Sequence, residues 1–476
     1  MIHRRLWVLL LFACLFSKGA VPQTVPAAPS AVWKPPGKFA ASPPPAGFIT
    51  AIDPDKTYSL AELIDIGERN NPDTRIVWER AMQEAAQRGI ARSALYPLVT
   101  TSVLLEGSRD RILINSIFIQ QDVALIQPTI SLSYTIFDFG ERASQIEAAE
   151  ANLLAADFAF NETHEQIIYE VSAGYYQLIS AQGEISAAEA TLTNAQTVQS
   201  AAEERLKNGV ATLPDVLEAR ASTAQAAYDL ETARGAERLA RGNLAGVLGI
   251  SPAIAVHVRP LRETALPSVL EQSVTDAIQR SFGQRPELLE QQARIRAAEA
   301  DIKGARSRYY PSLTFSGSAD YQGLFGKQEG SPSAQSSGAT WRAQMNLSWT
   351  LFDGGRRRND LDRAESAKRE AQAQLNGLQN QAAVDVWNAY SDVETAVAQQ
   401  KAAAALLDAA DRSYEAATEA YGYGVRSLID VVAAQRALAQ ARTAQVVAQA
   451  RVLTAVTNFA FQTGDLLRSR AAGGKP

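Results

Sequence analysis

Residues 130–140, ISLSYTIFDFG, and residues 345–355, MNLSWTLFDGG, decide how this chain folds. In the first, Ile130, Leu132, Tyr134 and Ile136 alternate with Ser131, Ser133 and Thr135; in the second, Met345, Leu347, Trp349 and Leu351 alternate with Asn346, Ser348 and Thr350. An apolar residue at every second position is the period of a strand with one greasy and one wet face. Each run stops at Phe-Asp followed by glycine, Asp138 with Gly140 and Asp353 with Gly355. An aspartate there suits the cap of a following helix, and glycine lets the chain swing from strand direction to helix axis.

The two stretches stand 215 residues apart, and their surroundings keep the same register. Tyr96-Pro97 recurs as Tyr310-Pro311, and Gly209-Val210 with Asp215-Val216 recurs as Gly424-Val425 with Asp430-Val431. Landmarks repeated in order imply two copies of one unit, here residues 58–265 and 266–464, followed by a tail over 465–476. Within each copy the spacing predicts a helix at about 59–70 or 268–283, broken before Pro72 or Pro286, because the residue preceding proline is steered out of the α region. A second helix runs toward Tyr96 or Tyr310, and partner strands follow at about 98–106 and 312–321, with Leu313, Phe315 and Tyr321 opposite Thr314, Ser316 and Ser318.

Beyond the strands, proline disappears from Pro128 to Pro214 and from Pro332 to Pro476, and Ala, Gln, Glu, Leu and Arg take over. A helix over 141–207 would be ~100 Å long at ~1.5 Å per residue. Ile185, Ala188, Leu192, Ala195, Ala202 and Leu206 fall on heptad spacing with Gln199 out of character, and Leu407, Ala410, Tyr414, Ala417 and Tyr421 do the same in the second copy, as in a coiled coil. Turns at 207–212 and 422–426 send the chain back, and Thr212 with Asp215, and Ser427 with Asp430, have capping-box spacing at the start of the returning helices.

The ends of the chain carry a different signal. Arg4-Arg5, an apolar run from Leu6 to Phe16 and small residues to Ala20 make residues 1–20 a signal peptide. The single cysteine, Cys14, lies inside it; a lipoprotein signal acylated at Cys14 is the alternative, which Phe12 and Leu15-Phe16 fit badly. Residues 21–57, with Pro35-Pro36 and Pro43-Pro44-Pro45, form a weakly ordered leader. No apolar stretch after the signal is long enough for a helical membrane span.

A net charge of -5 argues against a nucleic-acid partner. Three scattered histidines, His3, His164 and His257, offer no metal cluster or nucleophile system, and no phosphate loop or dinucleotide fingerprint occurs. The chain is therefore expected to be no enzyme and to hold no cofactor. Four amphipathic strands are too few for a barrel, and an open sheet leaves edges that hydrocarbon does not tolerate. Three copies would supply twelve strands and six helical hairpins. The alternative is a periplasmic coiled-coil scaffold without a pore.

The duplicated F-D-x-G and G-x-x-x-x-x-D-V motifs, over about residues 58–464, resemble the outer-membrane efflux protein family of TolC-like channels. The resemblance implies a mainly α fold with β: a homotrimer whose 12-strand transmembrane β-barrel in outer-membrane lipid continues into a barrel of long helical hairpins in the periplasm. It implies an exit duct that serves a tripartite efflux pump or a type I secretion system, with a periplasmic adaptor and an inner-membrane pump as partners. It implies a gate at the hairpin turns, with Asp215 paired to Arg426, Tyr421 bonding between hairpins and Asp430 facing the lumen. Pro214 and Ala433 stand where the family example has a hydroxyl residue and a second acid, so this gate would have fewer bonds and less charge. Gly209, Val210, Ala211, Gly424 and Val425 would be the tips that meet the adaptor.

Overall fold

A computed structural model describes residues 52–53, 55–114, 116–259 and 273–466. The expected signal peptide with Cys14, most of the expected leader and the tail from 467 onward lie outside these residues. One succession of elements occurs twice. The first half comprises β1 (Thr57–Tyr58), α1 (Leu60–Asn70), α2 (Pro72–Ser93), β2 (Leu98–Ile114), β3 (Ile117–Phe137), α3 (Glu141–Lys207) and α4 (Leu213–Val247). The second comprises β4 (His257–Val258), α5 (Val274–Gln284), α6 (Pro286–Ser307), β5 (Ser312–Gln328), β6 (Ala334–Ser348), α7 (Arg356–Gly422) and α8 (Leu428–Thr463).

Local chemistry sets these boundaries. Ser59 and Glu62 form a reciprocal capping box at the start of α1, and Ser273 caps α5 by accepting from the Asp276 amide. Asn71 and Arg285, each held extended by the proline that follows, end α1 and α5 and begin α2 and α6. The long helices α3 and α7 contain 67 residues each, so each runs ~100 Å.

Strands β2, β3, β5 and β6 form one antiparallel sheet in that order, with β2 and β6 at its edges. The strands are much longer than the alternating segments: β3 starts at Ile117 rather than near 130, and β5 continues to Gln328. The register nevertheless keeps the alternation coherent. Leu132 opposes Val99 and Gly317, Tyr134 opposes Phe315, and Met345 and Leu347 oppose Phe315 and Leu313, so one face is apolar. The other carries Thr100 bonded to Ser131 and Thr340 bonded to Asp320, both at 2.8 Å. On β3 the apolar face runs from Tyr134 to Ala124 before Asp122, ten residue steps that at ~40° tilt span ~25 Å, the height of a barrel's apolar band; on β2 it runs from Val99 to Gly107 before Arg109, eight steps or ~20 Å.

Three details depart from the sequence reading. A bulge between Thr135 and Phe137 takes Ile136 out of the alternation and sets Phe137 opposite Leu313. Trp349 and Leu351 lie beyond the end of β6, and the Trp349 indole donates to the Tyr309 carbonyl at 3.1 Å instead of continuing the strand's face. In the α3 seam Val198 is buried where strict heptad spacing reaches Gln199, as a straight helix of 3.6 residues per turn drifts from a 3.5 repeat; Gln199 instead donates to Glu203.

Two of the apolar clusters among the described residues place the ends of the helices, and two smaller ones join α7 to α8. Leu63 and Ile66 of α1 pack with Ile167, Val171 and Leu178 of α3 and with Leu244 and Leu248 at the end of α4. Near the turns, Val198 and Ala202 of α3, Val216 and Ala219 of α4, and Leu428, Val431 and Val432 of α8 share one cluster with Tyr414, Ala417 and Tyr421 of α7. The second cluster joins both hairpins of the chain.

Candidate functional sites: strand-to-helix junctions and hairpin turns

Both junctions have the same construction. Gly140 and Gly355 occupy the N-cap position with φ of 95° and 88°, left-handed values that a side chain resists. The capping aspartates sit two residues further back. Asp138 accepts from the Gly140 amide at 3.2 Å, the Arg142 amide at 3.1 Å and Arg142 Nε at 2.7 Å. Asp353 accepts from Gly355, Arg357 N and Arg357 Nε at 3.1, 3.1 and 2.7 Å. Burial pushes the Asp138 carboxyl up, but the bonds from Arg142 outweigh it and hold the group below the usual carboxylate range. Asp353 is held low by the same balance with Arg357.

Arg142 also donates to the Ala94 carbonyl at 3.1 Å, tying the start of α3 to the end of α2. Neither arginine was expected from the sequence, although arginine follows the aspartate by four residues in both copies. The junctions are thus rigid corners that aim ~100 Å helices away from the sheet.

At the turns, Gly209 and Gly424 take φ of 75° and 76°, and the amides of Val210 and Val425 reach back to the carbonyls of Arg205 and Ala420, both at 2.9 Å. Val210 and Val425 are 64% and 79% exposed, which leaves apolar tips in water. Both expected capping boxes are present. The Asp215 carboxylate takes the Thr212 hydroxyl and amide at 2.7 and 2.9 Å, and these bonds hold it below its usual range; Asp430 takes the Ser427 hydroxyl and amide at 3.0 and 3.2 Å.

Within one chain Arg426 lies 3.7 Å from Asp430 on its own turn, while Asp215 is engaged by Thr212. The Tyr421 hydroxyl is buried and bonds to nothing among the described residues. Burial raises its pKa, the Arg205 charge opposes this and the Asp215 charge adds to it.

A hydrogen-bonded contact that does cross between hairpins comes from a residue the sequence reading passed over. Arg205, in the last turn of α3, donates through Nη1 to the carbonyls of Tyr421 at 2.9 Å and Gly422 at 3.2 Å, and its guanidinium lies 4.6 Å over the Tyr421 ring. Further along, Arg436 of α8 meets Glu218 of α4 at 3.2 Å. Away from the turns, His164 packs edge-on against Phe160 and lies 3.4 Å from Glu68, a packed histidine rather than part of a cluster. Among the described residues no group of acidic, histidine or cysteine side chains could hold a metal, and no helix is long and apolar enough to cross a membrane.

Residues 63–250 and 277–465 match the family model described as outer membrane efflux protein. The chain is 28% identical over 458 residues to protein CyaE of Bordetella pertussis, covering 94% of this chain and 90% of that protein. Its fold is similar to the solved outer-membrane channel OprN, with a TM-score of 0.73 and 22% identity over 85% of this chain and 90% of that one. It is also similar to the solved structure of CusC, with a TM-score of 0.74 and 20% identity over 90% of this chain and 99% of that one.

Proposed function

Because the chain belongs to the outer membrane efflux protein family, an outer-membrane channel with a long periplasmic extension, we propose that three copies close a 12-strand barrel around a passive duct. The observation that carries the reading is the sheet. Its apolar face matches the height of a barrel's lipid band, and β2 and β6 end it with unpaired edges, which lipid does not tolerate. Joining β6 of one copy to β2 of the next removes every edge. Long helices leaving rigid corners then continue the lumen through the periplasm, and the exposed tips at Gly209, Val210, Ala211, Gly424 and Val425 meet a periplasmic adaptor bound to an inner-membrane pump. The duct serves a tripartite efflux pump or a type I secretion system.

The turns form the entrance in this reading. Asp215, Tyr421, Arg426 and Asp430 form its gate: Arg426 is the cation that holds the turns together, Tyr421 packs between the hairpins, and repulsion within the threefold Asp430 ring opposes closure. Arg426→Ser removes the cation beside Asp430, so conductance in planar bilayers should rise, most at low ionic strength where screening is weakest; conductance equal to the parent's at both low and high salt removes these residues from the gate. The reading as a whole rests on assembly. The mass of the detergent-solubilised protein should be that of three chains, and a stable monomer with intact strands overturns it. A scaffold without a pore would instead stay soluble without detergent.

A further inference from the structure

We propose that Arg111 and Lys327, beside the Arg109–Asp122 pair, form a docking row for the phosphate groups of lipids around the outer end of the barrel. The row rests on the reading of the sheet as the lipid-facing wall of a barrel. Strand parity places it. The register sets Arg109 opposite Asp122, Arg111 opposite Gln120 and Lys327 opposite Asp122 on its other side. Each of these residues stands an even number of positions beyond Gly107, Ala124 or Phe325, so all five continue the outward, apolar face. Two to four residue steps past the band add ~5–10 Å of height at ~40° tilt. Hydrated headgroups begin at that depth, since a bilayer with a core of ~30 Å measures ~40–45 Å with them.

Little within the chain neutralises these cations. Arg109 takes both Asp122 oxygens, through Nε at 2.7 Å and Nη2 at 2.9 Å. Arg111 and Lys327 are exposed and form no ion pair among the described residues. Glu329, in the turn between β5 and β6, accepts from the Gln120 amide at 3.3 Å. The other acids of this stretch, Glu106, Asp110 and Asp320, have the opposite parity and belong to the polar, lumenal face. The inner end of the band is built differently. There Arg142, which lies over the lipid-facing Tyr134 ring, is taken by Asp138, and Arg357 by Asp353. Uncompensated positive charge is thus left at the outer end of the lipid face. Guanidinium and ammonium groups pair strongly with phosphate, the guanidinium bidentately. A phosphorylated lipid satisfies them while its chains cover the band that the row continues, whereas an inorganic ion would satisfy the charge alone.

Lipid binding to the full assembled protein in phosphatidylcholine nanodiscs tests this, with bisphosphorylated lipid A as the probe and the same lipid stripped of its phosphates as the control. Arg111→Gln and Lys327→Gln should each weaken binding of the phosphorylated form about fivefold, and the double variant about 25-fold, the factor that ~1 kcal/mol per basic residue at a charged surface gives. Neither substitution removes an ion pair within the chain, so the fold should be kept. The dephosphorylated lipid should bind the parent about as weakly as the phosphorylated one binds the double variant. Arg111→Lys keeps the charge and should stay close to the parent. Asp110→Asn, one residue away but on the lumenal face, should leave binding unchanged. Equal affinity of the parent for the two lipids overturns the row. So does a gain in Asp110→Asn as large as the loss in Arg111→Gln, because net charge alone would then decide. Displacement of the lipid by inorganic phosphate makes the row an ion site and overturns the lipid as its occupant. A parent that neither assembles as a trimer nor enters bilayers sinks the barrel together with the row, whereas an assembled parent indifferent to phosphate sinks the row alone.

Discussion

The junctions and the turns of the two halves teach opposite lessons. At the junctions, Asp138 and Asp353 hold their arginines through bonds that agree within about 0.1 Å, from the same two positions behind a left-handed glycine. At the turns, glycines and capping boxes again coincide, but the side chains that cross between hairpins do not. Arg205, Tyr421, Glu218 and Arg436 have Ala420, Leu206, Ala433 and Ala221 as their counterparts. What both halves share builds the scaffold, and what only one half owns joins the hairpins to each other. An assembly with two equivalent hairpins per chain would have no preferred way to move; these four residues make the hairpins unequal.

The largest effect should come from the feature most fully shared, the alternation of the strands. Ile130 lies on the apolar face at the middle of the β3 band. Ile130→Arg should cost ~2–4 kcal/mol, and Ser131→Arg, on the polar face, should be tolerated. Leu347 occupies the same face near the end of β6, so Leu347→Arg should cost only ~0–1 kcal/mol. Thermal dissociation of the assembled protein measures all three. Equal losses at Ile130 and Ser131 would show that the two faces do not divide lipid from lumen.

Next in size are the junctions. Asp138→Ala removes a capping acceptor and leaves Arg142 without its carboxylate, a loss of ~1–2 kcal/mol on the scale of capping substitutions. Asp353→Ala should act in the same direction, and a neutral result at only one junction would break their equivalence. The pH dependence has a definite sign. Both carboxyls sit below their unfolded values, so their stabilisation is full above the ordinary carboxylate range and disappears as pH falls through the depressed one. Melting temperatures should therefore drop on acidification in the parent and less in the alanine variants.

The uneven legibility of the chain has physical causes. The bounds of α3 could be read from Gly140 and the Lys207–Thr212 turn because caps and turns are local chemistry. The outer halves of β2 and β3 could not, since Arg109, Asp110, Arg111, Gln120, Gln121 and Asp122 place polar residues on both faces. Pairing continues there, but with water on both sides no alternation marks it. The expected Asp215 and Arg426 pair joined two opposite charges, which a sequence displays. Arg205 escaped notice because it binds backbone carbonyls, which every residue possesses and no sequence motif marks. Its counterpart in the 215-residue register is Ala420, one of several differences at the ends of the two long helices.

The smallest effect should separate the two cross-hairpin contacts from each other. Arg436 and Glu218 are 63% and 41% exposed at 3.2 Å, an ion pair in water worth ~0.2–1 kcal/mol. At 1 M salt the Debye length falls to ~3 Å, about the separation of this pair, so mobile ions screen it there. Arg205 instead meets carbonyl dipoles and an aromatic ring in a half-buried setting, where salt has less access. Arg436→Ala should therefore speed amide hydrogen exchange at the α8 end of the contact slightly at low salt and leave it unchanged at high salt. Arg205→Ala should speed exchange at Tyr423–Val425 at both. If high salt erases the Arg205 effect as well, that contact is an ordinary surface attraction, and the hairpins owe their connection to the shared apolar cluster alone.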